Sequence, residues 1–113
     1  MRRGEVWLIN LDPTVGAEIQ KTRPAVIVND DAVGSLPLRV IAPLTEWKQH
    51  YALAPWMVRV EPDEENGVAK TSAVDAFQVR SVSSRRFVRR LGRLSEAGMD
   101  RVTRALAAVL AIR

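Results

Sequence analysis

The alternation of apolar and polar residues divides this chain into short strands and one terminal helix. Residues 4–11 (GEVWLINL) are rich in β-formers and apolar on both alternating faces, the pattern of a strand inside a sheet. Further strands are expected at 24–30 (PAVIVND), 38–44 (LRVIAPL) and 55–62 (PWMVRVEP). Residues 68–82 predict two short strands, or one broken near Asp75, and 88–94 (VRRLGRL) a last strand. Loops fall at 12–22, where Asp12-Pro13 and Gly16 punctuate the chain, and at 45–54. Gly34, Ser35 and Pro37 supply turn material, residues 63–67 (DEENG) form a turn, and SSRRF (83–87) suggests a single helical turn. After Ser95, a plausible N-cap, the period changes to that of a helix. Met99, Val102, Leu106, Val109 and Leu110 share one face of it. The outcome is a mainly β fold with some α: a small β-barrel with an appended C-terminal helix, a single domain over residues 1–113.

Composition narrows what such a barrel can do. The 113 residues suffice for one core but not two, and the hydrophobic fraction of 47% argues for a folded globule. Without cysteine there is no disulfide frame or thiolate metal site, and with a single histidine, His50, no ordinary zinc site. We expect neither a metal nor a cofactor. No run is long and apolar enough to span a bilayer, and the N-terminus does not read as a signal peptide, so a cytoplasmic protein without membrane attachment is expected. The net charge of +4, dominated by arginine, points to a polyanionic partner, because the planar guanidinium suits phosphate.

One short stretch sharpens that expectation. In KTRPAVIV (21–28), Pro24 restricts the backbone of Arg23 to extended geometry, so a permanent charge is held at the mouth of a strand. The surrounding RGEVWLINLDPTVGAEIQKTRPAVIV (3–28) resembles the N-terminal signature of MazF/PemK toxins. That signature is a G-[DE]-[IV]-W strand, a D-P-T-x-G-x-E loop, then R-P-[AV]-[VL]-[VI]. VIAPLT (40–45) is similar to the family's second signature, a strand ending in P-x-T. FQVRSV (77–82) and RRLGRLSEAGMDRV (89–102) resemble its Q-[IV]-[RK] strand and its C-terminal motif.

The resemblance implies an SH3-like barrel of the CcdB/MazF/PemK kind and a sequence-specific, metal-independent endoribonuclease acting on single-stranded RNA. It also implies a toxin that forms a homodimer and is neutralised by an antitoxin whose flexible tail covers the RNA groove. An acidic tail would suit the basic surface. By matching position, Arg23 is the central arginine and Thr45 its hydroxyl partner. The family chemistry is attack of the ribose 2′-oxygen on the adjacent phosphate, leaving a 2′,3′-cyclic phosphate and a 5′-hydroxyl.

That chemistry needs donors aimed at the phosphorane oxygens, an acceptor for the 2′ proton and help for the leaving 5′-oxygen. Arg23 and Thr45 suit the first task. A guanidinium is a poor base, so Glu18, in the loop before Arg23, is the candidate for the second. Some relatives have an acidic residue immediately before the glutamine of the Q-[IV]-[RK] strand; here that position is Phe77, and Asp75 does not inherit the role by proximity. Gln78, Trp47, Arg80, Arg85 and Arg86 are the candidate RNA contacts, Trp47 by base stacking and the arginines along the phosphates.

Each has a structural alternative. Arg23 could pair with Glu18 or Asp12, Gln78 could bond the barrel backbone, Trp47 could pack at a dimer interface, and Trp56 could be core. Two other functions share the fold: a non-catalytic DNA gyrase inhibitor like CcdB, and an inert SH3-like nucleic-acid-binding module.

Overall fold

In the computed structural model, which describes residues 1–33 and 35–113, seven antiparallel strands precede one helix. The strands are β1 (Glu5–Asn10), β2 (Thr22–Ile27), β3 (Leu38–Glu46), β4 (Met57–Val60), β5 (Ser72–Asp75), β6 (Arg80–Ser83) and β7 (Phe87–Arg93); the helix, α1, is Glu96–Leu110. Short 3₁₀ turns occupy Asp31–Val33, Gln49–Leu53, Ala76–Gln78 and Ser84–Arg86. The strand order is β4-β5-β3-β2-β1-β7, with β6 also on β3. The expected mainly β fold with a C-terminal helix is what forms, although among the described residues the sheet does not close, leaving β4 and β7 at its ends. Gly34, expected in a turn, lies outside the described residues.

The long strand β3 is the hub. Its first half pairs with β6, from Leu38 opposite Ser83 to Ile41 opposite Arg80. Its last residues, Leu44–Glu46, pair with β5. Because side chains alternate across a strand, β2 and β3 feed two cores. Val26, Ala42 and Leu44 join Val58, Val74 and the helix residues Val102 and Ala105 in one cluster. Ala25, Ile27 and Ile41 turn the other way and join Ile9, Leu11 and Val82.

Ser95 caps α1 as expected, its Oγ accepting a hydrogen bond from the Gly98 N–H at 3.0 Å. Met99, Leu106 and Val109 pack on the first cluster around Val102. Leu110 does not: at the helix end it is 55% exposed, and the small Ala105 takes the buried place one turn after Val102. Where the 61–67 segment crosses β7, two glycines permit the approach. A Cβ at Gly67 would run into the Leu91 carbonyl, and one at Gly92 into the Glu65 carbonyl. Buried Asn66 fixes the same crossing, its Nδ2 donating to the Glu61 carbonyl at 2.8 Å.

The strand boundaries differ from the sequence pattern at three places that bear on function. β3 runs on through Thr45 and Glu46, paired with β5, where a loop over 45–54 was expected. β2 begins at Thr22, so Arg23 lies inside paired strand, opposite Ile9 of β1. β4 begins at Met57, leaving Trp56 outside it and 38% exposed instead of in the core. The break after Asp75 is real: a 3₁₀ turn separates β5 from β6.

Candidate active site

Register brings the two signature strands together. β2 and β3 pair Ile27 with Ile41, Val26 with Ala42 and Ala25 with Pro43. Arg23 and Thr45 each lie two residues beyond the last of these pairs, so alternation along each strand gives them the face of Ala25 and Pro43. On its other side Thr45 pairs with Ala73 of β5, a residue too small to crowd it. Arg23 is partly exposed, and its Nε donates to the Gln20 carbonyl at 3.0 Å, a local bond that leaves the terminal nitrogens of the fork for an external anion. It makes no ion pair with Glu18 or Asp12.

The loop before Arg23 is built by side chains. Asp12 accepts a hydrogen bond from the Lys21 N–H at 2.9 Å and the Leu11 N–H donates to the Lys21 carbonyl at 2.9 Å, closing the base of the loop. Lys21 adopts a left-handed conformation, φ 70°, to make that turn. Exposed Glu18 accepts from the Val15 N–H at 2.6 Å, so one of its oxygens stiffens the loop tip.

Gln78 reaches across from the turn after β5. Its Oε1 accepts from the Ile19 N–H at 2.6 Å and its Nε2 donates to the Ala17 carbonyl at 3.3 Å. The backbone-binding alternative for Gln78 therefore describes its contacts. Arg80 donates to the Leu11 carbonyl at 3.3 Å, and Arg86 to the Asn10 carbonyl at 3.2 Å and to that of Asp12. These two arginines grip the loop base, whereas Arg85 is exposed.

A pocket of about 340 Å³ opens between the loop and the sheet, lined by Leu11, Ala17, Glu18, Ile19, Pro43, Phe77, Gln78, Val79 and Arg80. Its wall residue Pro43 shares a strand face with Thr45, two positions away. Asp75, 5% exposed, accepts the Phe77 N–H at 3.0 Å and fixes the turn that carries Phe77 and Gln78. Burial pushes the Asp75 carboxyl above its ordinary value of 3.8, against the opposing pull of donors from Phe77 and Gln78.

Trp47 lies on the far side of Thr45. The Arg59 guanidinium sits 5.2 Å from its ring centroid, and Tyr51 meets it edge to face at 5.9 Å. His50 stacks edge-on against Tyr51 at 4.6 Å. Trp56 and Phe77, which sequence reasoning set aside as core and as a departure from pattern, form an edge-to-face pair at 5.9 Å. Phe77 is 64% exposed. The available signal was an aromatic standing where relatives have a charge.

The fold and this arrangement meet their match among known proteins. The chain matches the family of PemK-like, MazF-like toxins of type II toxin–antitoxin systems over residues 2–110, and it belongs to that family. It is 31% identical to the endoribonuclease MazF9 of Mycobacterium tuberculosis over 112 residues, 94% of this chain and 92% of that protein. It is 35% identical to the endoribonuclease PemK of Escherichia coli, covering 97% and 82%. Among solved structures, MazF from Deinococcus radiodurans superposes with a TM-score of 0.83 at 24% identity, covering 99% of this chain and 97% of that one. A mycobacterial endoribonuclease in complex with its cognate antitoxin gives 0.81 at 22%, covering 100% and 97%. These likenesses favour the endoribonuclease reading and lend nothing to the gyrase-inhibitor or inert-module alternatives.

Proposed function

We propose that this protein is the toxin of a toxin–antitoxin pair and a sequence-specific endoribonuclease that cuts single-stranded RNA without a metal. What supports the reading is membership of this family together with the β2–β3 pairing, whose last paired residues, Ala25 and Pro43, stand two positions from Arg23 and Thr45. In the proposed reaction the ribose 2′-oxygen attacks the neighbouring phosphorus. The P–O5′ bond breaks, a 2′,3′-cyclic phosphate forms, and the departing 5′-oxygen takes up a proton. The Arg23 guanidinium and the Thr45 hydroxyl donate to the non-bridging oxygens as negative charge gathers there. Glu18 is the loop carboxylate assigned to receive the 2′ proton.

Arg85 contacts phosphate directly and Trp47, backed by Arg59, contacts a base. Gln78, Arg80 and Arg86 frame the RNA path by holding the loop that borders it. The working unit is a homodimer in the cytoplasm, and its antitoxin brings a flexible acidic segment to the same basic face. Relatives in this family that are named endoribonucleases, and a structural neighbour complexed with its antitoxin, support this reading.

The test is cleavage of a long unstructured RNA in EDTA. Discrete fragments ending in cyclic phosphate, abolished when the nucleotide 5′ of the cut carries 2′-deoxyribose, are expected. Cleavage that requires added Mg²⁺, or that persists on the deoxy substrate, contradicts the mechanism.

A further inference from the structure

We infer that the pocket beside Thr45 is a nucleobase subsite, with Phe77 as its stacking face and Trp56 as the support behind it. This rests on the ribonuclease reading for its substrate class and extends it to two residues outside the phosphate machinery. Phe77 stands out among the aromatics here: the residue is 64% exposed, lines the pocket, and its ring meets that of Trp56 at 5.9 Å and 64°.

Both backbones are tied down. The Phe77 N–H donates to buried Asp75 at 3.0 Å, and the Ala76 N–H donates to the Trp56 carbonyl at 3.0 Å. Phe77 is therefore presented on a fixed turn and left largely to solvent, which costs hydrophobic free energy unless a ligand covers it. The pocket, about 340 Å³, falls within the range of small-ligand sites. Its apolar walls, Leu11, Ile19, Pro43 and Val79, are edged by Glu18, Gln78 and Arg80, a lining that suits a flat heteroaromatic ring with polar edges better than an aliphatic side chain. Pro43 lies about 7 Å along β3 from Thr45, two residues of strand rise, so a base lodged here belongs to a nucleotide next to the scissile phosphate. Single-stranded RNA is commonly held by bases stacked on aromatic side chains.

The experiment compares wild type, Phe77→Ala and Phe77→Tyr. Binding is read by fluorescence anisotropy on short unstructured oligoribonucleotides carrying a 2′-deoxy block, with each nucleotide in turn made abasic. Saturating cleavage rates on unblocked RNA are measured beside it. Phe77→Ala is expected to weaken binding about 5- to 100-fold, the effect of losing one base–aromatic stack. Binding should suffer at least as much as the cleavage rate at saturation, and Phe77→Tyr should bind like wild type. One abasic position should weaken the wild type and leave Phe77→Ala unaffected.

Unchanged binding by Phe77→Ala, or equal sensitivity of both proteins to every abasic position, overturns the subsite. A Phe77→Ala defect confined to dimer assembly in sedimentation also overturns it, in favour of a protein contact. If wild type binds with the predicted Phe77 dependence but cuts nothing, the subsite stands and the ribonuclease reading falls; normal cleavage with no Phe77 dependence gives the reverse.

Discussion

The two faces of strand β3 are held by different forces. On one, Ala42 and Leu44 disappear into valines and the helix residues Val102 and Ala105, all buried, and water is excluded by packing. On the other, beyond Ile41 and Pro43, apolar packing gives way to the Arg23–Thr45 row and a loop fastened by Asp12, Gln78, Arg80 and Arg86. The first face gains its stability from area removed from water. The second is assembled from hydrogen bonds, each of small net worth, that fix direction more than they add stability. Substitutions on the helix side should therefore appear in stability, and those on the loop side in catalysis.

The largest expected effect is catalytic. Arg23→Ala should lower kcat/KM by about 10²–10³-fold or more, the scale of losing a transition-state donor, while the melting temperature moves little because its side chain bonds locally, to the Gln20 carbonyl. Steady-state cleavage beside thermal melts checks both halves. On the other face, Gly92→Ala should destabilise by about 3 kcal/mol in urea, because its Cβ meets the Glu65 and Asn66 backbone, which cannot withdraw as a flexible side chain could. A Gly92→Ala protein of wild-type stability would show that the crossing is looser than described.

Smaller than either is the effect of Gln78→Ala. Loss of the bonds to Ile19 and Ala17 should cost about 1–2 kcal/mol of loop stability, visible as faster amide exchange at residues 17–19 and a several-fold higher KM. Exchange confined to global unfolding would argue against a separately held loop. The smallest effect is a slope. Because the folded Asp75 carboxyl titrates above its unfolded value, the native state holds a proton that the unfolded chain has lost across that window. Stability therefore falls as pH rises through it, and the cost of the buried charge persists above it. In Asp75→Asn, where the amide oxygen can still accept the Phe77 N–H, that part of the slope should vanish; urea midpoints from pH 3.5 to 6 would show it.

The backbone at Arg23 was easier to read from the sequence than its surroundings. Pro24 restricts Arg23 to extended geometry, as β2 shows, whereas Thr45 was singled out by the P-x-T resemblance alone. The strands and helix were legible from periodicity, and the break near Asp75 from its composition. The loop's fastening was not, because Gln78 and Ile19 are 59 residues apart and meet only through the fold. Nor was the role of Trp56, whose place one residue before β4 leaves it exposed although the run PWMVRV reads as strand from its start. Leu110 failed for a related reason: helical periodicity gives a stripe, but at the last residue of the helix Leu110 is exposed while Val109 beside it still packs on the core.

The central claim is that Arg23 and Thr45, carried on neighbouring strands, serve one phosphate as a unit. A double-mutant cycle on single-turnover RNA cleavage, using Arg23→Ala, Thr45→Ala and the pair together, tests it most directly. Residues acting as a unit give a double mutant scarcely slower than Arg23→Ala alone. Losses that simply multiply, in proteins that remain folded, would mean that the two side chains act independently and contradict the account.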